Sequence, residues 1–127
     1  MPEPCAFDYA VIRVVPHVER EEFVNVGVIV FCSTRRFLDV RIRLDEARLK
    51  SLSPELDIVQ VRQQLDLIAR VSAGGVQAGP LGRLNQFERF HWLVSPRSTT
   101  IQISPVHGGL ADDLPAALDD LFTRLVG

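Results

Sequence analysis

The sequence predicts an α+β fold, a single domain in which an antiparallel sheet of about four to five strands packs against two or three helices. Three observations carry this expectation. Apolar residues recur with period two through most of residues 7–44, the pattern of β-strands. From Asp45 onward they recur at three- and four-residue spacing, the pattern of helices packed on a sheet. The strands are clustered at the start and do not alternate with helices, which argues against repeated βαβ units and a parallel sheet.

Residues 1–6, with two prolines and a glutamate, read as a short flexible tail, and residues 7–127 as the single α+β domain. Phe7 to Val15 reads as the first strand. Both of its faces are mostly apolar, so it is expected inside the sheet, with Pro16 ending it. Phe23 to Cys32 is the strongest strand signal. Val24, Val26, Val28, Val30 and Cys32 are expected to share one face, and Gly27 to mark a bulge or a close backbone approach. Ser33 to Arg36 reads as a hairpin loop. Phe37 to Leu44 then alternates so cleanly that it predicts one covered face and one wet face, with Arg41 and Arg43 on the wet one.

Asp45 is expected to cap a short helix that turns Leu49 and Leu52 inward. Ser53 and Pro54 read as the cap and first position of the next helix, whose stripe is Ile58, Val61, Leu65 and Ile68. Arg62 and Arg70 fall on its outer side, and Gly74-Gly75 stops it. Residues 74–82 read as a loop. Leu84 to Phe90 reads as a helical turn, His91 to Val94 as a short strand and Ile101 to Ile103 as another, with polar turns on both sides of the last. Asp113 caps a final helix with Pro115 in its first turn and Leu114, Leu118, Leu121, Phe122 and Leu125 on its apolar face.

Composition excludes several classes. An apolar fraction of 46% with 24% charged residues is ordinary for a globular chain and excludes a disordered one. Of the 14 basic residues only Lys50 is a lysine, so thirteen are arginines, yet the formal net charge is −2. Without a basic stripe, nucleic acid is not an expected partner. The longest unbroken apolar run, Val26 to Cys32, is far short of the ~20 residues of a spanning helix, so no membrane is expected either. The start lacks a basic n-region and an apolar h-region, which points to the cytoplasm. There Cys5 and Cys32 are expected as free thiols, with a Cys5–Cys32 bridge as the less favoured alternative.

Chemistry-bearing residues concentrate in the turn-rich stretch 95–109. It holds Arg97, Ser98, Thr99, Thr100, Ser104 and His107 between prolines and glycines. An arginine fork among hydroxyls and backbone N–H groups is a means of holding phosphate or carboxylate, and histidine titrates near neutral pH. The competing reading has the hydroxyls capping turns and Arg97 paired with an acid such as Glu88. Asn25 stands out as an amide in a strand of Val, Ile and Phe, and needs a hydrogen-bond partner there. Histidines 17, 91 and 107 are too scattered for a metal site, so none is expected and no cofactor is implied. No covalent-catalysis signature occurs: the serines lie outside any G-x-S-x-G elbow. The run Glu19 to Glu22 reads as a solvated connection.

Four segments in order, Phe7 to Pro16, Glu19 to Val28, Phe90 to Ser98 and Ser104 to His107, resemble the bacterial family of unknown function called DUF3037. The resemblance spans Phe7 to Leu125. It implies no assigned activity, but it does imply a gene neighbour that is a kinase-like protein related to HipA. Its signature runs pass through Asn25, Arg97, Ser98 and His107. Two functions follow as expectations. The first is a non-catalytic interaction or regulatory module, partnered by that HipA-like kinase or by a second copy of itself. The alternative is a binding protein or enzyme for a phosphate-containing ligand, a nucleotide or phosphometabolite. Its tentative ligand-binding residues are Asn25, Arg97, Ser98, Thr99 and His107.

Overall fold

The computed structural model describes residues 3–127. Five antiparallel strands form the sheet: β1 (Cys5–His17), β2 (Glu22–Cys32), β3 (Phe37–Ile42), β4 (Ile101–Ile103) and β5 (His107–Ala111). Four α-helices accompany them: α1 (Glu46–Leu52), α2 (Ile58–Ala73), α3 (Gln86–Val94) and α4 (Leu114–Leu125). The α+β class with an antiparallel sheet is the one the sequence predicts. Lateral order is β3, β2, β1, then β4, with β5 also on β1. The outer lane is therefore split: β4 pairs with Ile12 to Val14 and β5 with Cys5 to Tyr9. Strand β1 starts two residues before the expected tail boundary, because Cys5 and Ala6 pair with Ala111 and Leu110. Residues 1 and 2 lie outside the described residues.

Both faces of the sheet are covered. Helices α1, α2 and α3 pack on one side, where Ile12, Val14, Ile29, Phe31, Leu49, Val61, Leu65, Ile68, Phe90 and Leu93 form the larger core. Helix α4 covers the other with Leu114, Leu118 and Leu121 against Phe7, Val28, Val30 and Cys32. The expected alternation of β3 holds: Leu38 is buried while Asp39, Arg41 and Arg43 are exposed, and Arg41 forms a surface ion pair with Asp119 of α4. On the opposite side Arg62 likewise ties α2 to Glu46 of α1.

A β-bulge explains how one valine-rich strand serves two cores. Ile12 lies opposite Gly27 and Arg13 opposite Asn25, so Val26 has no partner on β1. One extra residue reverses the side-chain alternation. Val24 and Val26 consequently join the larger core, while Val28, Val30 and Cys32 face α4. The expected single face of five residues is thus divided at Gly27, where the sequence had placed a bulge or close approach.

Local capping accounts for the other differences. Helix α2 begins after Asp57, whose carboxylate accepts from the Gln60 N–H at 3.1 Å. Ser53 instead closes α1 by donating its N–H to the Leu49 carbonyl at 2.9 Å. The run His91 to Val94 is helical, not a strand. Asn85 and Glu88 form a reciprocal capping box that starts α3, with Asn85 Oδ1 accepting from the Glu88 N–H at 2.8 Å. Helical spacing then turns Phe90 and Leu93 together onto the sheet, with the Phe90 and Phe31 rings stacked at 4.8 Å. Residues 76–83 form a kinked 3₁₀ segment where a loop was expected.

Candidate functional site

The segment 95–103 lies where α2, α3 and β4 meet, and a pocket of about 510 Å³ opens there. Its apolar walls come from Leu67 and Ile68 of α2, Trp92 and Val94 of α3, and Ile101 and Ile103 of β4. Ser95, Arg97, Ser98, Thr99, Gln64 and Gln102 supply its polar groups. The walls belong to elements fixed by the larger core, so the polar loop is carried on a rigid floor. None of the lining residues is Asp, Glu, His or Cys.

Arg97 is held in two ways. Its guanidinium carbon stands 3.6 Å from the centroid of the Trp92 ring, a cation–π stack. Its Nη1 donates to the carbonyls of Trp92 and Ser95. Among the described residues these are its only hydrogen bonds, so Nε and Nη2 remain available, and Glu88 is occupied in the capping box of α3. Partial burial of the guanidinium lowers its pKa from the ordinary arginine value. Arg97 is exposed at the pocket rim and carries its charge at neutral pH, so it is accessible to an anion.

Ser98 shapes the loop. Its Oγ accepts from the N–H groups of Thr100 at 3.1 Å and Ile101 at 3.2 Å, which folds the chain back into β4. The hydroxyl proton is not used by these bonds. Thr99 is exposed at the rim, and its carbonyl accepts from Gln102 Nε2 at 3.0 Å.

The other two candidates lie elsewhere. His107 opens β5, opposite Tyr9, with the two rings 5.4 Å apart. Asn25 lies on the face covered by α4 and donates Nδ2 to the Leu125 carbonyl at 3.1 Å, an anchor for the end of that helix. The structure therefore brings Arg97, Ser98 and Thr99 together at one pocket and separates them from Asn25 and His107.

Ser104, between β4 and β5, has a structural task. Its Oγ accepts from the Val11 N–H at 2.8 Å and donates to the Pro105 carbonyl at 2.9 Å, while its own N–H bonds the Val11 carbonyl at 2.9 Å. It continues the ladder across the gap in the outer lane. Ser104→Ala is expected to leave the buried Val11 N–H without a partner and to cost about 1–2 kcal/mol. Chemical denaturation measures that cost, and faster exchange of the Val11 amide locates it.

Two residues that matter here were not singled out in the sequence. Trp92, the only tryptophan, makes the floor under Arg97. Its sequence signal was its position five residues before that arginine, one helical turn and a corner away. Arg89 is the other. It is 8% exposed, and its side chain donates to the carbonyls of Val71, Ser72 and Leu84 at 2.8–3.1 Å. A buried arginine in a nine-residue amphipathic segment carries no obvious mark in sequence.

The fold and pocket define a small α+β domain with helices on both faces of its sheet and an arginine-rimmed apolar pocket at one edge. The chain belongs to the family described as Protein of unknown function (DUF3037), whose model matches residues 9–126. No curated protein and no solved structure matches it.

Proposed function

We propose that this protein is a non-catalytic binding module whose pocket between α2, α3 and β4 holds an anionic group carried on an apolar or aromatic body. The observation that carries this reading is Arg97. Its guanidinium is stacked on Trp92 and anchored through Nη1 alone, with its remaining donors free beside apolar walls. An anion paired with these donors makes charge-assisted hydrogen bonds. The apolar body gains from burial against Leu67, Ile68 and Ile103.

Phenyl phosphate and phenylacetate are suitable probes, with inorganic phosphate and toluene as controls for the charge and the ring alone. Both probes are expected to raise the melting temperature. A ligand at about 100 times its Kd adds roughly 2.7 kcal/mol, several degrees for a domain of this size. Arg97→Ala is expected to weaken binding about tenfold to a hundredfold, the worth of a charge-assisted hydrogen bond. If the probes bind Arg97→Ala as tightly as the original chain, the pocket assignment fails.

The kinase-like partner implied by the family resemblance fits the same pocket when it presents an acidic or phosphorylated side chain next to an apolar one. Size-exclusion chromatography of the two proteins at micromolar concentration tests it. A complex that survives in the original chain and is lost in Arg97→Ala supports this partner, and no complex removes it.

A further inference from the structure

Cys5 and Cys32 sit on the side of the sheet covered by α4, remote from the pocket. Both are free thiols, and their sulfurs are 3.5 Å apart. Each is oriented by neighbours: Cys5 Sγ lies 3.3 Å from the Ala111 carbonyl, and Cys32 Sγ lies 3.2 Å from Thr34 Oγ1. The two positions are on adjacent antiparallel strands, at the start of β1 and the end of β2. The β1–β2 ladder begins at Asp8 opposite Phe31, so Cys5 and Cys32 lie on a diagonal just beyond its end. Bringing their sulfurs to bonding distance takes side-chain rotation together with a small backbone adjustment at the strand ends.

We propose that Cys5 and Cys32 form a reversible intramolecular disulfide, with a low-molecular-weight disulfide such as glutathione disulfide as the oxidant. Cys5 is the entry point, since it is partly exposed while Cys32 is only 1% exposed. The Cys5 thiolate, its proton released to solvent, attacks one sulfur of glutathione disulfide. The S–S bond breaks, one glutathione leaves as thiolate and takes up a proton, and a mixed disulfide remains on Cys5. The Cys32 thiolate then attacks the Cys5 sulfur and expels the second glutathione in the same way. Two protein thiols are oxidised and one glutathione disulfide is reduced to two thiols.

Exposure, not thiolate fraction, makes Cys5 the entry point, and the surroundings favour Cys32 for the second step. Burial raises the pKa of both thiols. For Cys5 the raised value stands, reinforced by Cys32. For Cys32 the hydrogen bonds from Thr34 Oγ1, the Arg35 N–H, Cys5 and the Thr34 N–H outweigh burial and lower it. The buried partner is thus the better thiolate for the second, resolving step. Arg35, next to this pair, also donates to the carbonyls of Glu3 and Asp112, so the bond closes a point where the first described residues already meet the start of α4.

The test is incubation of the reduced full chain with glutathione disulfide, followed by intact-mass measurement and tryptic mapping without reductant. The expected product has lost the mass of two hydrogens. It yields peptide 1–13 joined to peptide 21–35, separable by dithiothreitol, and melts at a higher temperature than the reduced chain. In Cys32→Ser the glutathione adduct is expected to persist on Cys5, and in Cys5→Ser no adduct is expected. Unchanged thiols, a glutathione adduct that persists on the original chain, linkage between two chains, or an oxidised form that melts no higher would each overturn the proposal.

Discussion

Arg89→Met is expected to lower the unfolding free energy by about 3 kcal/mol. Arg89 stands on α3, but its guanidinium serves the C-terminal end of α2. Nη1 donates to the Val71 and Ser72 carbonyls at 3.0 and 2.8 Å, and Nε donates to the Leu84 carbonyl at 3.1 Å. The last carbonyls of a helix lack intrahelical partners and carry its negative dipole end, so a cation there satisfies both needs. Among the described residues Arg89 makes no ion pair with a carboxylate. Its charge is compensated by carbonyl dipoles alone. Methionine preserves much of the volume and removes all three bonds. Hydrogen bonds to a charged group contribute about 1.5–3 kcal/mol each, and they do not add fully when they share one donor group. The expected fall in melting temperature is roughly 10 °C. In urea the midpoint is expected to fall with little change in slope. Arg89→Lys keeps the charge but not the planar fork that reaches two chain segments, and is expected to recover less than half of the loss. A loss below about 1 kcal/mol in Arg89→Met would show that water replaces the guanidinium at little cost.

Gly27→Ala is expected to destabilise by a similar amount, about 3 kcal/mol, and in the direction opposite to β-propensity. Alanine is ordinarily favoured over glycine inside a strand by about 0.5–1 kcal/mol. At Gly27 an added Cβ would sit 2.7 Å from the Arg41 carbonyl oxygen, 3.0 Å from Ile12 Cδ1 and 3.1 Å from Ile42 Cγ1. The first neighbour is backbone of β3, which cannot rotate away. The bulge would have to shift, and with it the residues that divide the valines between the two cores. Overpacking of this kind costs about 1–3 kcal/mol and occasionally more. Denaturant unfolding of Gly27→Ala measures it. A neutral or stabilising result would mean that the bulge is not held by the contact between β2 and β3.

These two positions also show what could be read from the chain. The strands β1 to β3 and helix α4 were legible because their apolar spacing is long and regular, and because Asp113 caps α4 through the Ala116 N–H at 3.0 Å. Gly27 was legible as an irregularity, but not its consequence, since a pattern of alternating valines does not show where one residue drops out of register. The end of helix α3 is not legible from spacing, because a short run such as His91 to Val94 suits either a strand or a buried helix. The Asn85–Glu88 capping box, visible in the sequence, would have decided it. Strand β5 carries no strand signal in sequence, because Gly108 and Gly109 lack β-forming side chains. The Phe7 ring lies across Gly109, where a Cβ would come within 2.5 Å of it.

The candidate site divided along the same lines. Arg97, Ser98 and Thr99 are adjacent in sequence, so local reasoning placed them together. Asn25 and His107 joined them only as polar residues that looked out of place. Asn25 answers to the end of α4 and His107 to the split outer lane of the sheet, and both are long-range arrangements that spacing does not reveal. The apolar half of the pocket comes from three separate elements for the same reason. Of the thirteen arginines, Arg89 serves structure by ending α2, while Arg41 and Arg62 make exposed surface ion pairs.

Trp92 offers the most direct measurement of the central claim. It is the only tryptophan in the chain, and its ring lies under the Arg97 guanidinium and lines the same pocket. Titration of the protein with phenyl phosphate, followed by Trp92 fluorescence, is expected to give a saturable change that inorganic phosphate and toluene do not reproduce at the same concentrations. In Arg97→Ala the midpoint is expected to move at least tenfold to higher concentration. A saturable response that is the same in Arg97→Ala, or no response at any concentration of the probe, would contradict the assignment of this pocket as the binding site.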